Sequence, residues 1–214
     1  MLHTSANRSR LSRSVRLTVA VVALSLLLPI AAIQAPAQDQ ARGSSGAPRG
    51  WYLAGSKPAD YSTGVDPNST YQGHRSAYLR AKPSATEGFG TLMQNFSAAQ
   101  YTGKRVRFSA WVKSEGVTNW AGLWMRVDKG SEMVAFDNMQ NRPIKGTTDW
   151  RHFQVVLDVP ADATGVFFGI LLERSGTVWL SDVKFEIVGT DVPITGTLPS
   201  TPAPLGPANL SFEN

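Results

Sequence analysis

Hydrophobic and polar residues alternate with a period of two through most of the middle of the chain. Val106, Phe108, Ala110 and Val112 are interleaved with Arg107, Ser109, Trp111 and Lys113. Leu123, Met125 and Val127 are interleaved with Trp124, Arg126 and Asp128. Phe153, Val155, Leu157 and Val159 alternate in the same way with His152, Gln154 and Asp158. Successive side chains of an extended backbone point to opposite sides, so this pattern predicts strands with one buried face. Turn-forming residues at Tyr101-Thr102-Gly103-Lys104, Asp128-Lys129-Gly130 and Arg174-Ser175-Gly176 punctuate it at short intervals. The predicted strands are 51–54, 61–66, 76–80, 88–97, 104–114, 121–128, 133–138, 150–158, 164–173 and 177–188. The run Val166 to Leu172 lacks alternation and is expected to be a central strand covered on both faces. Many short antiparallel strands with one polar face predict an all-β sandwich or jelly roll.

The two ends of the chain read differently. Arg8, Arg10, Arg13 and Arg16 form a basic start without acidic residues, and Leu17 to Ile33 is an almost unbroken apolar run. Ala35-Pro36-Ala37 supplies small residues for a signal peptidase, so residues 1–37 are expected to be a signal peptide cleaved after Ala37. An uncleaved N-terminal anchor is the alternative. Residues 38–49 read as a flexible leader and 50–189 as the folded domain. Residues 190–208 form a tail rich in proline and threonine. That tail ends in a strand-like pattern, Asn209-Leu210-Ser211-Phe212-Glu213.

Charge adds little once the targeting segment is set aside. The chain holds 21 basic and 16 acidic residues, but four of the arginines lie in 1–37, which leaves 17 against 16. A nearly neutral domain gives no support to nucleic-acid binding, and none of it predicts stable membrane insertion after cleavage. The sequence contains no cysteine, which excludes a thiol nucleophile, an iron–sulfur cluster and a cysteine-ligated zinc site. Beyond the targeting segment the histidines are His74 and His152, with no metal-ligand spacing and no nucleophile elbow.

Several phrases together carry a resemblance. Tyr101-Thr102-Gly103-Lys104 precedes a strand ending Ser109-Ala110-Trp111-Val112-Lys113, and Trp150 opens a strand ending Val159-Pro160. The last strand contains Val178-Trp179-Leu180-Ser181-Asp182-Val183. These resemble the galactose-binding-like jelly rolls of carbohydrate-binding modules attached to secreted glycosidases. GWYLAGSKPADYSTGVD, AGLWMRVD, AFDNMQNRPIKGTTDW and VWLSDVKFEIV are similar to a bacterial domain of unclear function, found alone or fused to regulators and secreted enzymes. The resemblance covers roughly residues 50–190. It implies an exported module, periplasmic or extracellular, that binds a carbohydrate or another small ligand without catalysis. A structural or protein-interaction role against an envelope protein is the first alternative, and an atypical hydrolase the second.

The resemblance also implies an Asn-x-x-Phe-Glu strand ahead of the Gly-Trp motif, and none precedes Gly50-Trp51. The expectation is that residues 209–213 fold back and complete the sandwich; the start of a second, truncated domain is the other reading. In related modules the Glu of that strand and the last Asp of an Asp-Asp-Val motif help hold a structural calcium. Here those positions are Glu213 and Asp182, with Ser181 in place of one expected Asp. A solvated Asp182 at a strand end is the competing expectation.

Candidate ligand-binding residues follow from alternation. If Phe108, Met125 and Phe136 point inward, then Trp111, Trp124, Arg126, Asp128 and Asp137 share the other face. A flat ring flanked by charged donors and acceptors suits a sugar, whose C–H faces pack on rings while its hydroxyls take hydrogen bonds. A second covered face, with an Arg126–Asp137 cross-strand ion pair, accounts for the same residues. The loop 136–144, rich in Asn, Gln and Arg, is expected to be either a binding rim or a loop locked by its own side-chain-to-backbone bonds.

Overall fold

The alternating segments pair into one continuous antiparallel sheet that folds over on itself. The structure, a computed structural model, describes residues 46–196. Its strands are β1 (Tyr52–Gly55), β2 (Tyr61–Tyr71), β3 (His74–Ala81), β4 (Phe89–Ser97), β5 (Lys104–Lys129), β6 (Glu132–Asp137), β7 (Ile144–Val159), β8 (Gly165–Glu173) and β9 (Thr177–Val188). The predicted export segment and the 209–213 strand lie outside the described residues.

One difference from the sequence reading shapes the whole molecule. The expected strands 104–114 and 121–128 are a single strand, β5, of 26 residues. The stretch between them, Glu115 to Asn119, reads as a break because its single apolar residue, Val117, gives no alternation. It instead forms a bulged corner, with register shifts from Val112 to Ala121 against β7. Gly116, at φ 60°, supplies a left-handed residue there that a side chain would resist.

The corner lets β5 belong to two layers. Its first half lies between β7 and β9, and β9 continues to β3 and β2. Its second half lies between β8 and β6, and β8 continues to β4 and β1. The two layers face each other. Phe108 on β5 meets Phe168 on β8 at a 4.8 Å ring separation, and Phe168 meets Phe185 on β9 at 5.2 Å. Phe96 on β4 packs edge-on against Phe185 at 5.1 Å. Val106, Phe108, Ala110, Val112, Leu123, Met125 and Val127 are fully buried between the layers, as their alternation predicted. Each large apolar side chain so enclosed stabilises the fold by about 1.5–3 kcal/mol. This is an all-β sandwich. β8 lies between β4 and β5, the central position expected for 166–172.

The chain beyond β9 is tied across the first layer. Arg105 forms a two-pronged pair with Asp158, at 2.7 and 2.9 Å, and donates to the carbonyls of Thr190 and Val192. The Arg105 bonds hold the Asp158 carboxyl below the ordinary carboxylate range, partly opposed by burial. A depressed carboxyl contributes stability above its unfolded pKa, about 3.9, and that stability is lost as pH falls through the folded value. The melting-temperature gap between the wild type and Asp158→Asn should therefore be full at pH 7 and close below about pH 4. A gap that stays constant down to pH 2 would contradict this role.

Candidate functional site

In-register positions on the outside of the second layer build a groove of about 410 Å³. Cross-strand partners share a face, so the register lays its side chains out in rows. Trp120, Glu173 and Phe89 form one row, and Gly122, Leu171, Thr91 and Ala54 the next. Trp124, Gly169, Met93 and Tyr52 follow, and then Phe136, Arg126, Phe167 and Asn95. Gly122 and Gly169 leave the middle of this face without side chains, while large residues surround it.

The floor is rigid. Trp124 is only 8% exposed, packed in a second apolar cluster with Met93 and Leu171. Its indole N–H donates to Thr91 Oγ1 at 2.8 Å, and Thr91 donates to the Ile170 carbonyl at 2.9 Å. Trp120 and Phe136 are half-buried and open to the groove. Arg126 lies over the Phe167 ring at 4.4 Å and pairs with Asp128 at 2.9 Å. Arg126 Nε and Asp128 Oδ1 are buried and unpartnered, so this pair retains bonding capacity. Tyr52 donates its hydroxyl to Asn95 at 2.7 Å; burial raises its pKa, with the Arg126 charge opposing.

One wall comes from the loop after β6. A Cβ at Gly122 would stand 2.8 Å from the Asn138 carbonyl oxygen and 3.0 Å from Met139 Cβ, so the loop rests on this glycine. Met139 adopts φ 59° and is 1% exposed. Asp137 Oδ1 accepts its N–H at 2.9 Å, and Asn138 Oδ1 accepts the Gln140 N–H at 3.1 Å. Side-chain-to-backbone bonds lock the loop, and the lock places Asn138 at the groove.

The five candidate binding residues do not share one surface. Trp124, Arg126 and Asp128 lie on the outer face of the second layer, as alternation predicted. Trp111 lies outside the first layer, because the bend in β5 puts its two halves in opposite layers. There it stacks on Tyr71 at 4.2 Å, with His152 and Trp150 nearby. Asp137 is also misplaced by the expectation. A bulge between Val127 and Asp128 shifts β6 by one residue, pairing Met125 with Asp137 and Arg126 with Phe136. A one-residue slip exchanges the faces. Phe136 thus belongs to the groove, and Asp137 is buried on the other side. The Arg126–Asp137 ion pair is replaced by Arg126–Asp128 and Arg142–Asp137. Asp137 accepts from both terminal nitrogens of Arg142 and the Met139 N–H, and Thr195 donates to it at 2.5 Å.

Phe136 and Asn138 belong to the loop 136–144 that the sequence offered as a binding rim, and both line the groove. Trp120 and Glu173 were missed as site residues. For Trp120 the signal was present, since it precedes Trp124 by four and shares its phase. For Glu173 the register was needed. Asp182, at φ 47°, sits at the bulge of β9 and pairs with Lys184 at 3.3 Å. Its expected calcium partner, Glu213, lies outside the described residues. Among the described residues no group of three His, Cys, Asp or Glu could hold a metal ion. No helix among them is long and apolar enough to cross a membrane.

No family model matches the chain. It is 44% identical over 169 residues to the uncharacterised HTH-type transcriptional regulator YbfP of Bacillus subtilis (strain 168). That match covers 77% of this chain and spans 57% of the curated relative's length. Among solved structures, the chain is similar to the CBM22-1 xylan-binding domain from Paenibacillus barcinonensis Xyn10C, with TM-score 0.47 and 17% identity over 67% of this chain and 88% of that one. TmCBM61 in complex with β-1,4-galactotriose has TM-score 0.44 and 11% identity, over 67% and 92%.

Proposed function

We propose that the chain is a non-catalytic binding module that takes a carbohydrate in the groove on the outer face of its second layer. The observation that carries this reading is the row arrangement. Half-buried Trp120 and Phe136 flank a rigid apolar floor, with Arg126, Asn138 and Glu173 at the edges. Rings pack on the C–H faces of a sugar, and fixed polar groups at the margin select its hydroxyls. A groove of about 410 Å³ falls within the range of small-ligand sites, roughly 300–1,000 Å³. Glycoside hydrolysis needs two carboxyl groups about 5–10 Å apart flanking one bond. Among the described residues Glu173 is the single carboxylate lining this groove, which favours binding over turnover. The basic and apolar N-terminus supports export, and recovery of the protein from the periplasm or medium after cell fractionation would check that.

A glycan array probed with the full chain tests the ligand class. The expected outcome is selective retention of one group of oligosaccharides. Absence of binding across the array, with a folded protein, would shift the groove to an envelope protein as its partner.

A further inference from the structure

On the first layer, β9 lacks a neighbour along half of its length. Thr177 to Leu180 pair with β3, but among the described residues the edge of Val183 to Val188 away from β5 is unpaired. The side chains there are oddly exposed for their position. Ile187 is in register with Val106, and Phe185 with Phe108, both of which are 0% exposed and face the core. Yet Ile187 is 54% exposed, and Val183, two residues before Phe185, is 37% exposed. Inward-facing apolar residues are left open because no strand among the described residues lies beside them. A groove of about 440 Å³ runs on from this edge, lined by Pro48, Trp51, Val65, Leu180 and Val183. A bare backbone edge beside exposed apolar side chains is a template for an added strand.

We infer that this edge is the docking site of the chain's own C-terminal segment, residues 209–213, which adds a strand beside β9. The added strand must present alternate apolar residues to the core, and Leu210 and Phe212 do so between polar Asn209, Ser211 and Glu213. The leader 38–45, Gln-Asp-Gln-Ala-Arg-Gly-Ser-Ser, offers no large apolar residue for such a strand. Reach is sufficient. Thr195 is bonded to Val156 on β7, so the chain leaves near that edge of the layer. Crossing from there past β5 and β9 spans three strand spacings, about 15 Å. The residues from Gly196 to Asn209 can extend about 40 Å. The docked strand would cover Val183 and Ile187 and pair the open edge.

Hydrogen exchange on the full chain tests this without mutation. Amides of 210–213 are expected to exchange at least about 100-fold slower than an unstructured peptide; exchange at the unstructured rate overturns the inference. In Leu210→Asp/Phe212→Asp, exchange across 183–188 should accelerate about tenfold or more, and the melting temperature should fall by about 4–8 °C. Unchanged exchange and melting would overturn it. Sedimentation at micromolar concentration should give a monomer. A dimer abolished by the double substitution would assign the edge to a second copy and overturn docking within one chain.

Discussion

Trp120→Ala is expected to weaken glycan binding at least about 30-fold while shifting the melting temperature little. Trp120 is half-buried at the groove, opposite Glu173 on β8, and its ring is a large aromatic surface lining it. A well-placed aromatic anchor contributes about 2 kcal/mol or more to binding, which is a factor of roughly 30 in Kd. Trp124→Ala is a poorer probe, although Trp124 was the stronger candidate from sequence. Its ring is 8% exposed and bonded to Thr91, so its removal opens a cavity costing about 3–5 kcal/mol of stability and entangles folding with binding. Calorimetric titration of both variants, with their melting curves, separates the two effects. Undiminished affinity in a folded Trp120→Ala protein would remove the groove from the binding site.

Asp137→Ala should produce the largest loss of stability outside the apolar core. Asp137 is 7% exposed and ties its own loop to the chain beyond β9: the Arg142 guanidinium, the Met139 N–H and the Thr195 hydroxyl all donate to it. Alanine removes the acceptor of the Met139 N–H and the carboxylate facing the Arg142 charge, while Arg142 keeps its bonds to Asn141 Oδ1 and the Gln154 carbonyl and Thr195 its longer bond to the Val156 carbonyl. Breaking a buried charged pair costs about 3–5 kcal/mol, and the partial exposure of Arg142 places this case near the lower end. For a domain of this size that lowers the melting temperature by about 6–12 °C. Asp137→Asn retains one acceptor and should lose less. Because Asp137 holds Met139 and hence Asn138, glycan affinity should fall as well, with Asn intermediate. Equal melting temperatures for wild type and Asp137→Ala would show that the hub carries no stability.

The fate of particular residues shows what was legible in the chain. Within a strand, alternation is a local property of the extended backbone, and it placed Phe108, Leu123, Met125 and Val127 inside and Trp124, Arg126 and Asp128 outside. Comparisons between strands were less secure, because register depends on bulges that have no strong local signature. The bulge at Val127/Asp128 exchanged Phe136 and Asp137, and so moved one aromatic into the groove and one carboxylate out of it. The corner at Gly116 carried Trp111 to the outside of one layer and Trp124 to the outside of the other, so the two never meet.

The sequence by itself therefore determined the all-β class and the alternation of core and outward positions within β5 and β7, since each depends on neighbours a few residues apart. Tertiary structure alone decided which outward residues meet. Phe89, Glu173 and Trp120 become one row only when β4, β8 and β5 pair, and the exposure of Val183 and Ile187 appears only once β9 is left half-paired. Those facts depend on hydrogen-bond register between segments tens of residues apart, which a two-residue period cannot encode.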